Sequence, residues 1–434
     1  MNAPGAPTEL KRVLGPVHLW AIAVGLVISG DYFGWNYGLG KGGPVGMALA
    51  TLLVTLMYVC FIFSYTELGA AIPHAGGPFA FSQRALGDKL GFVAGICTLI
   101  EFLCAPPAIA RAIGAYVHFR VPELSVNSVA LSAFVVFCAV NALGVTLAVT
   151  FELVITAAAA FELFLFFFLT APQVSAARLF AEPLLPFGAL GVFAAIPFAI
   201  WFYLGMEGVA MSAEEVKDPK RAIPKGYIAG IVTLVVLALG TLICTSGVLP
   251  WQELIVDDSP LPKTLAAVLD RDHPMTHLMV YLGLFGLIAS FHGIIMGASR
   301  QVFALAREGF LPRRIGALHP RFKTPIWAVV ASGVIGAALV LTERTDDLIS
   351  LSAFGAVGVY ILSMISVVAL RKKEPALERP FVAPFYPVFP LLALGIAVVC
   401  LVAMIYGSPW YVSLGFFSLL GAAFVIWTAV GRSR

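Results

Sequence analysis

Apolar runs of about 18 residues or more, each long enough to cross a ~30 Å hydrocarbon layer as a helix, follow one another along almost the whole of this chain. Twelve can be delimited, at 17–39, 45–71, 90–118, 127–143, 151–171, 188–211, 227–248, 276–304, 325–341, 348–370, 386–406 and 410–430. Only 12% of the residues are charged, against about a quarter in soluble domains, and no long polar stretch is left over for a soluble domain. Lipid offers no hydrogen bonds to the backbone, so each run must satisfy its own amides and carbonyls as a helix. The expectation is an all-α integral membrane protein forming one polytopic membrane domain over 1–434.

The placement of charge sets an orientation. With the N-terminus in the cytoplasm and the spans alternating, 20 of the 27 Lys and Arg residues fall on the inside, including the Lys217–Lys225, Arg300–Lys323 and Arg371–Arg379 stretches. That is the positive-inside bias of a cell inner membrane protein with both termini cytoplasmic. Met1 to Leu14 lacks an apolar core with a small-residue cleavage site, so no cleaved signal is expected. The six cysteines all lie in apolar segments without a CxxC pair, which argues against structural disulfides and a metal site. The mixed run Ala213 to Arg221 reads as a solvated inside turn. The acidic stretch Leu249 to Met275 reads as an outside loop with a short surface helix over an entrance.

Within the first span lies Ser29-Gly30-Asp31-Tyr32-Phe33-Gly34-Trp35-Asn36. A carboxylate at bilayer depth costs roughly 2.5–3.5 kcal/mol on insertion scales and persists where it faces an interior cavity or a partner. Flanking glycines let the helix unwind there. The sixth span repeats the theme in Trp201-Phe202-Tyr203-Leu204-Gly205-Met206-Glu207-Gly208. Two interrupted helices five spans apart, each with an acid beside the break, mark an inverted-repeat secondary transporter with its substrate between the breaks.

Several motifs are specific. Tyr65-Thr66-Glu67 through Pro78, Glu214-Glu215-Val216-Lys217-Asp218-Pro219-Lys220-Arg221, Gly297-Ala298-Ser299-Arg300, Phe322-Lys323-Thr324-Pro325 and Glu378-Arg379-Pro380-Phe381 resemble the amino acid–polyamine–organocation superfamily over most of the chain. The resemblance implies a five-plus-five inverted repeat, 17–171 and 188–370, followed by two peripheral helices in 386–430. Within that superfamily, Gly30 to Asn36 resembles the ethanolamine permease branch. Amino acid carriers usually show Gly-Ser/Thr-Gly at this turn, whose bare amides hold the substrate carboxylate; here it reads Ser29-Gly30-Asp31. A fixed carboxylate would repel an amino acid's own carboxylate and suit an ammonium whose other end is a neutral hydroxyl. Two unit charges about 4 Å apart gain of order 4 kcal/mol at an effective dielectric near 20, enough to decide between the two.

The expected substrate-binding residues are Ser29, Gly30, Asp31, Tyr32, Glu101, Trp201, Phe202, Tyr203 and Gly205. Asp31 is the ammonium counter-ion, unless it pairs structurally with a helix end or with Lys41. Trp201 matches a position where family members place an aromatic against substrate, and an indole face attracts an ammonium by about 0.5–2 kcal/mol. Only one of Phe202 and Tyr203 can face inward with it. By resemblance, Glu207 is a proton-coupling candidate and Glu101, on a helix lining the cavity, a second one; a structural role is the alternative for each. Pro106-Pro107 is expected to loosen that helix. Glu152 reads as wet near the cytoplasmic end and Glu162 as buried against the first helix. Some relatives keep a lysine on helix 5, but 151–171 contain none, so that device does not carry over. His292 reads as a packing residue before a ligand. Gly38 to Gly43 has no Ser or Thr after its lysine, so it is a turn and not a phosphate loop.

The function expected is import of ethanolamine by alternating access, driven by a proton gradient or by exchange; the alternative is an amino acid or other small amine permease of the same fold. The partners are then the amine and membrane lipid, with no nucleic acid, cofactor or metal. A membrane enzyme would need a motif such as HExxH or GxSxG, absent from this sequence, and a channel a repeated pore loop.

Overall fold

The computed structural model describes residues 12–143, 148–255, 257–312, 314–322 and 324–430. The two termini, Arg313 and Lys323, on which part of the orientation argument rests, lie outside the described residues. The helices are α1 (Pro16–Val27), α2 (Ser29–Tyr32), α3 (Leu39–Ala71), α4 (Pro78–Leu86), α5 (Asp88–Arg120), α6 (Val126–Leu143), α7 (Ala148–Thr170) and α8 (Ala176–Leu179). There follow α9 (Gly188–Trp201), α10 (Pro219–Val248), α11 (Pro260–Leu269), α12 (Pro274–Arg307), α13 (Ile326–Val340), α14 (Thr345–Lys373), α15 (Val388–Gly407) and α16 (Trp410–Val430). Among the described residues 10 helical stretches are long and apolar enough to cross a membrane, and two shorter apolar ones, Pro16–Tyr32 and Ile326–Val340, accompany them. The chain is an all-helical, multi-pass membrane protein.

Helix starts follow local chemistry. Proline stands in the first turn of α1, α4, α10, α11 and α12, where its missing amide costs no hydrogen bond. The long helix α3 is divided near its start, because Gly43 has φ 69° ahead of Pro44; this is the turn expected between the first two spans. One helix was not legible as a span: the nine-residue α4 fills part of what reads as the second loop.

At the centre α1 packs on α10, α7 and α12, while α5 packs on α14 and α12 and α3 on α9 and α10. α15 lies against α3, α9 and α14, and α16 mainly against α14 and α5. Large apolar side chains such as Phe161, Phe168, Leu190, Trp327 and Trp410 stand exposed on the outside, a surface that suits lipid.

The charge-bearing motifs quoted from the sequence meet at one end of the bundle. Glu67, at the end of α3, accepts from Arg371 through Nε at 2.8 Å and Nη2 at 2.5 Å, from Arg379 Nε at 3.1 Å, and from the Ala383 amide at 2.8 Å. Glu215 pairs with Arg300, and Glu214 with Arg307 and the Ala75 amide. The run from Ala213 thus divides: its two glutamates are held by α12, while Lys217, Asp218, Lys220 and Arg221 are exposed, as expected of a solvated turn. At the loop 249–275, Asn36 donates to the carbonyls of Leu254 and Asp257, and Tyr37 donates to Asp258 at 2.5 Å. The expected short helix there is α11, with a 3-10 turn, Trp251–Glu253, before it.

Candidate functional site

The first interruption is placed by Phe33 and Gly34. Ile28 stays right-handed, Ser29 to Tyr32 make one helical turn, then Phe33 is extended and Gly34 takes φ +90° before a 3-10 turn, Trp35–Gly38. Only glycine adopts that φ without strain. Gly30, expected to unwind, stays helical and does something else: a Cβ there would lie 2.2 Å from the Trp201 carbonyl oxygen. The second interruption follows α9. Phe202 to Leu204 form a turn, Gly205 takes φ +96°, and the chain continues as a 3-10 helix, Met206–Glu215. The two interruptions touch, through Gly30 on Trp201, Phe33 edge-on to Trp201 at 5.6 Å, and Trp35 stacked on Phe202 at 5.6 Å.

Beside this contact Asp31 is fully buried, and neither carboxylate oxygen has a hydrogen-bond partner among the described residues. Its side chain is inside the bundle and not on the lipid-facing surface, and it forms no ion pair with Lys41. The Trp201 indole N–H is likewise buried and unpartnered. Buried polar groups are seldom left so, and here a carboxylate acceptor and an indole donor stand near the same junction.

The other expected residues divide. Phe202 is committed to Trp35, whereas Tyr203 lies within electrostatic reach of Asp31 and donates to or accepts from Thr55 at 2.6 Å. Tyr32 points away from α9: its hydroxyl donates to Glu162 at 2.6 Å, and its ring fills the space left by Gly283 and Gly286 on α12. Ser29 also faces α12, bonded to Ser290 at 2.7 Å. These two brace the first interruption from behind.

Glu101 and Glu207 are both fully buried, and their carboxyls face one another beside the Gly205 backbone. Neither Glu101 oxygen has a hydrogen bond of normal geometry. Glu207 accepts from Tyr360 at 3.3 Å, and Tyr360 bonds Tyr58 at 2.6 Å. Tyr65 and Tyr227 donate to the Glu207 carbonyl. These four tyrosines were missed in the sequence, where the only available signal was hydroxylated aromatics inside apolar helices. Pro106 and Pro107 do not open α5, which stays helical throughout; proline's fixed φ lies in the helical range, so the helix continues despite the lost amides.

Glu162 lies against the first helix as expected, through Tyr32. Glu152 does not match its expectation: it is 4% exposed, its carboxyl pressed against Gly25 of α1. His292 is bonded to Asn141 at 2.9 Å and packs against Phe137, between α12 and α6.

An apolar helical bundle whose two interrupted helices meet around buried, unsatisfied acids has the architecture of a membrane transporter. Residues 18–430 match the family model described as amino acid permease. The chain is 32% identical to an uncharacterised transporter of Rhizobium meliloti (strain 1021), over 87% of this chain and 83% of that one. It is 25% identical to the branched-chain amino acid permease BcaP of Bacillus subtilis (strain 168), covering 100% and 96%, and 26% identical to a methylthioribose transporter of the same strain, covering 99% and 94%. The chain belongs to the amino acid permease family, within the amino acid–polyamine–organocation superfamily.

Proposed function

We propose that this permease is a secondary carrier for small amino acids, binding the substrate's ammonium at Asp31 and one of its oxygens at the Trp201 indole N–H. The observation that carries this is the pair of buried, unpartnered groups where the two interruptions touch. The names of the relatives weigh toward amino acids, the reading kept above as the alternative to ethanolamine. Ethanolamine is the second reading, and a specific feature favours it: Glu101 and Glu207 add negative potential near the junction, and among the described residues no Lys or Arg pairs with Asp31, Glu101 or Glu207 to balance a substrate carboxylate.

Within this proposal, 17–171 and 188–370 are the two inverted repeats, 386–430 the added pair, and the twelve apolar runs twelve crossings. The matching left-handed glycines, Gly34 and Gly205, support the repeat. The basic residues of the even-to-odd turns support cytoplasmic termini in the cell membrane. Coupling to protons, with Glu207 and Glu101 as exchanging groups, suits carboxyls that face each other without a cation. Equilibrium binding to the purified protein, with ethanolamine, choline, alanine, leucine and lysine as ligands, tests the reading. Alanine or leucine binding while ethanolamine does not supports an amino acid carrier, the reverse supports the second reading, and binding of none overturns both.

A further inference from the structure

Just past the first interruption the protein already holds a carboxylate. Tyr37, in the 3-10 turn that follows Gly34, donates its hydroxyl to Asp258 Oδ1 at 2.5 Å. The Thr345 hydroxyl, in the first turn of α14, donates to Oδ2 at 3.4 Å, and Arg111 Nε of α5 lies 3.7 Å from the same oxygen. Other contacts fix these donors. Arg111 donates to Asn127 Oδ1 at 2.9 Å and to Thr345 Oγ1 at 3.1 Å, and Asn127 donates in turn to Glu343 at 2.6 Å. The Tyr37 ring packs on Phe198 at 6.0 Å. Three elements thus present a phenol, a hydroxyl and a guanidinium to one carboxyl group, a donor set that suits carboxylates in general.

Asp258 is the replaceable member. It belongs to the loop before α11, and only the phenol bonds it at close range. Its neighbour Asp257 is engaged separately, by the Ser259 amide and hydroxyl at 2.8 Å and by Lys263 at 3.7 Å. The side chains of Arg111 and Asp258 keep 15% and 11% of their surface open, so water reaches the pair. Leaving Arg111 without an anion would be costly at this burial, whereas exchanging one carboxylate for another keeps the charges balanced. The cradle also adjoins the candidate site. Ile349 stands one turn beyond Thr345 on α14, about 6 Å along the helix, and a Cβ on Gly34 would meet both Trp201 Nε1 and, at 2.9 Å, Ile349 Cδ1.

We propose that Tyr37, Arg111 and Thr345 form an outer recognition site for the carboxylate of an amino acid, which displaces Asp258 before the molecule passes to Asp31. The released Asp258, with Asp257 and Asp346 nearby, leaves acidic surroundings for the ammonium of the same molecule. The proposal rests on the amino acid reading above and supplies what the junction around Asp31 lacks, a cation for the substrate's acid end. An amine without a carboxylate gains nothing here.

Acetate, which brings no ammonium to Asp31, probes the cradle by itself. Calorimetric titration of the purified full chain is expected to show acetate binding Asp258→Ala at least tenfold more tightly than the wild type, whose own carboxylate competes. That gain should vanish in Asp258→Ala/Arg111→Gln. Equal acetate affinity in all three proteins overturns the proposal. In proteoliposomes Arg111→Gln is expected to raise the KM for alanine about tenfold with the maximal rate within twofold, the pattern of lost binding; an unchanged KM overturns the role in recognition. Tyr37→Phe keeps the ring packing and removes one donor, so it should raise the same KM about threefold, and an unmoved value counts against the site even where Arg111→Gln fails to fold. Should no ligand of the binding panel bind, the carrier reading falls, while the acetate titration still decides whether the cradle takes a carboxylate.

Discussion

Replacing Asp31 by Asn separates binding from folding unusually cleanly. The substitution removes one charge and almost no volume. Because neither Asp31 oxygen has a hydrogen-bond partner among the described residues, no bond within the protein is broken, and an uncompensated buried charge is relieved. Thermal stability in detergent is therefore expected to stay within about 1 kcal/mol of the wild type, like substitutions that disturb no network. Binding should respond very differently. An ammonium about 4 Å from the carboxylate gains of order 4 kcal/mol at an effective dielectric near 20, which corresponds to roughly a thousandfold in affinity. Titration of the purified variant with the best ligand of the wild type measures this, with the melting temperature recorded on the same preparation. Affinity within about threefold of the wild type, which is less than 1 kcal/mol, would refute the role given to Asp31. A large loss of stability would refute the reading of Asp31 as an unpaired group.

Four further outcomes are expected. Trp201→Ala should weaken ligand binding more than Trp201→Phe, the ring face being worth about 0.5–2 kcal/mol; equal losses would leave only the N–H at work. Gly30→Ala places a Cβ 2.2 Å from a backbone oxygen, so it should lower stability by about 1–3 kcal/mol through forced separation of the two interruptions, read as a fall in melting temperature. Glu67→Gln, at a site 2% exposed, should cost about 3 kcal/mol because it leaves Arg371 and Arg379 under-compensated; an unchanged melting temperature would show the cluster to be energetically idle. His74 lies in the loop after α3, where burial and then the Arg307 guanidinium hold its imidazole below the ordinary histidine value of 6.5. The unfolded chain thus takes a proton there first, so this contribution to stability is full above pH 6.5 and declines as the pH falls below it. His74→Gln should flatten that decline in melting temperature measured against pH.

The sequence by itself determined the class of fold and the neighbourhood of the site. Length and apolarity of the runs leave helices as the only way to satisfy the backbone in lipid, so the expected spans overlap helices in the structure. An acid beside glycine, twice, marked the two interruptions for the same reason: both features are costly in a membrane unless used. What local pattern could not supply is the direction in which each side chain points. Ser29, Asp31 and Tyr32 stand on one helical turn and share one expectation, yet Asp31 is left unpaired while Ser29 and Tyr32 engage α12 and α7. Gly30 and Gly34 look alike in sequence; one is a contact and the other a bend. Glu152 reads as wet because it lies near the end of its run, and becomes buried because Gly25 and Gly293, both far away along the chain, leave room for it. Those are properties of helices packed against each other, since a side chain's environment is set by partners distant in sequence.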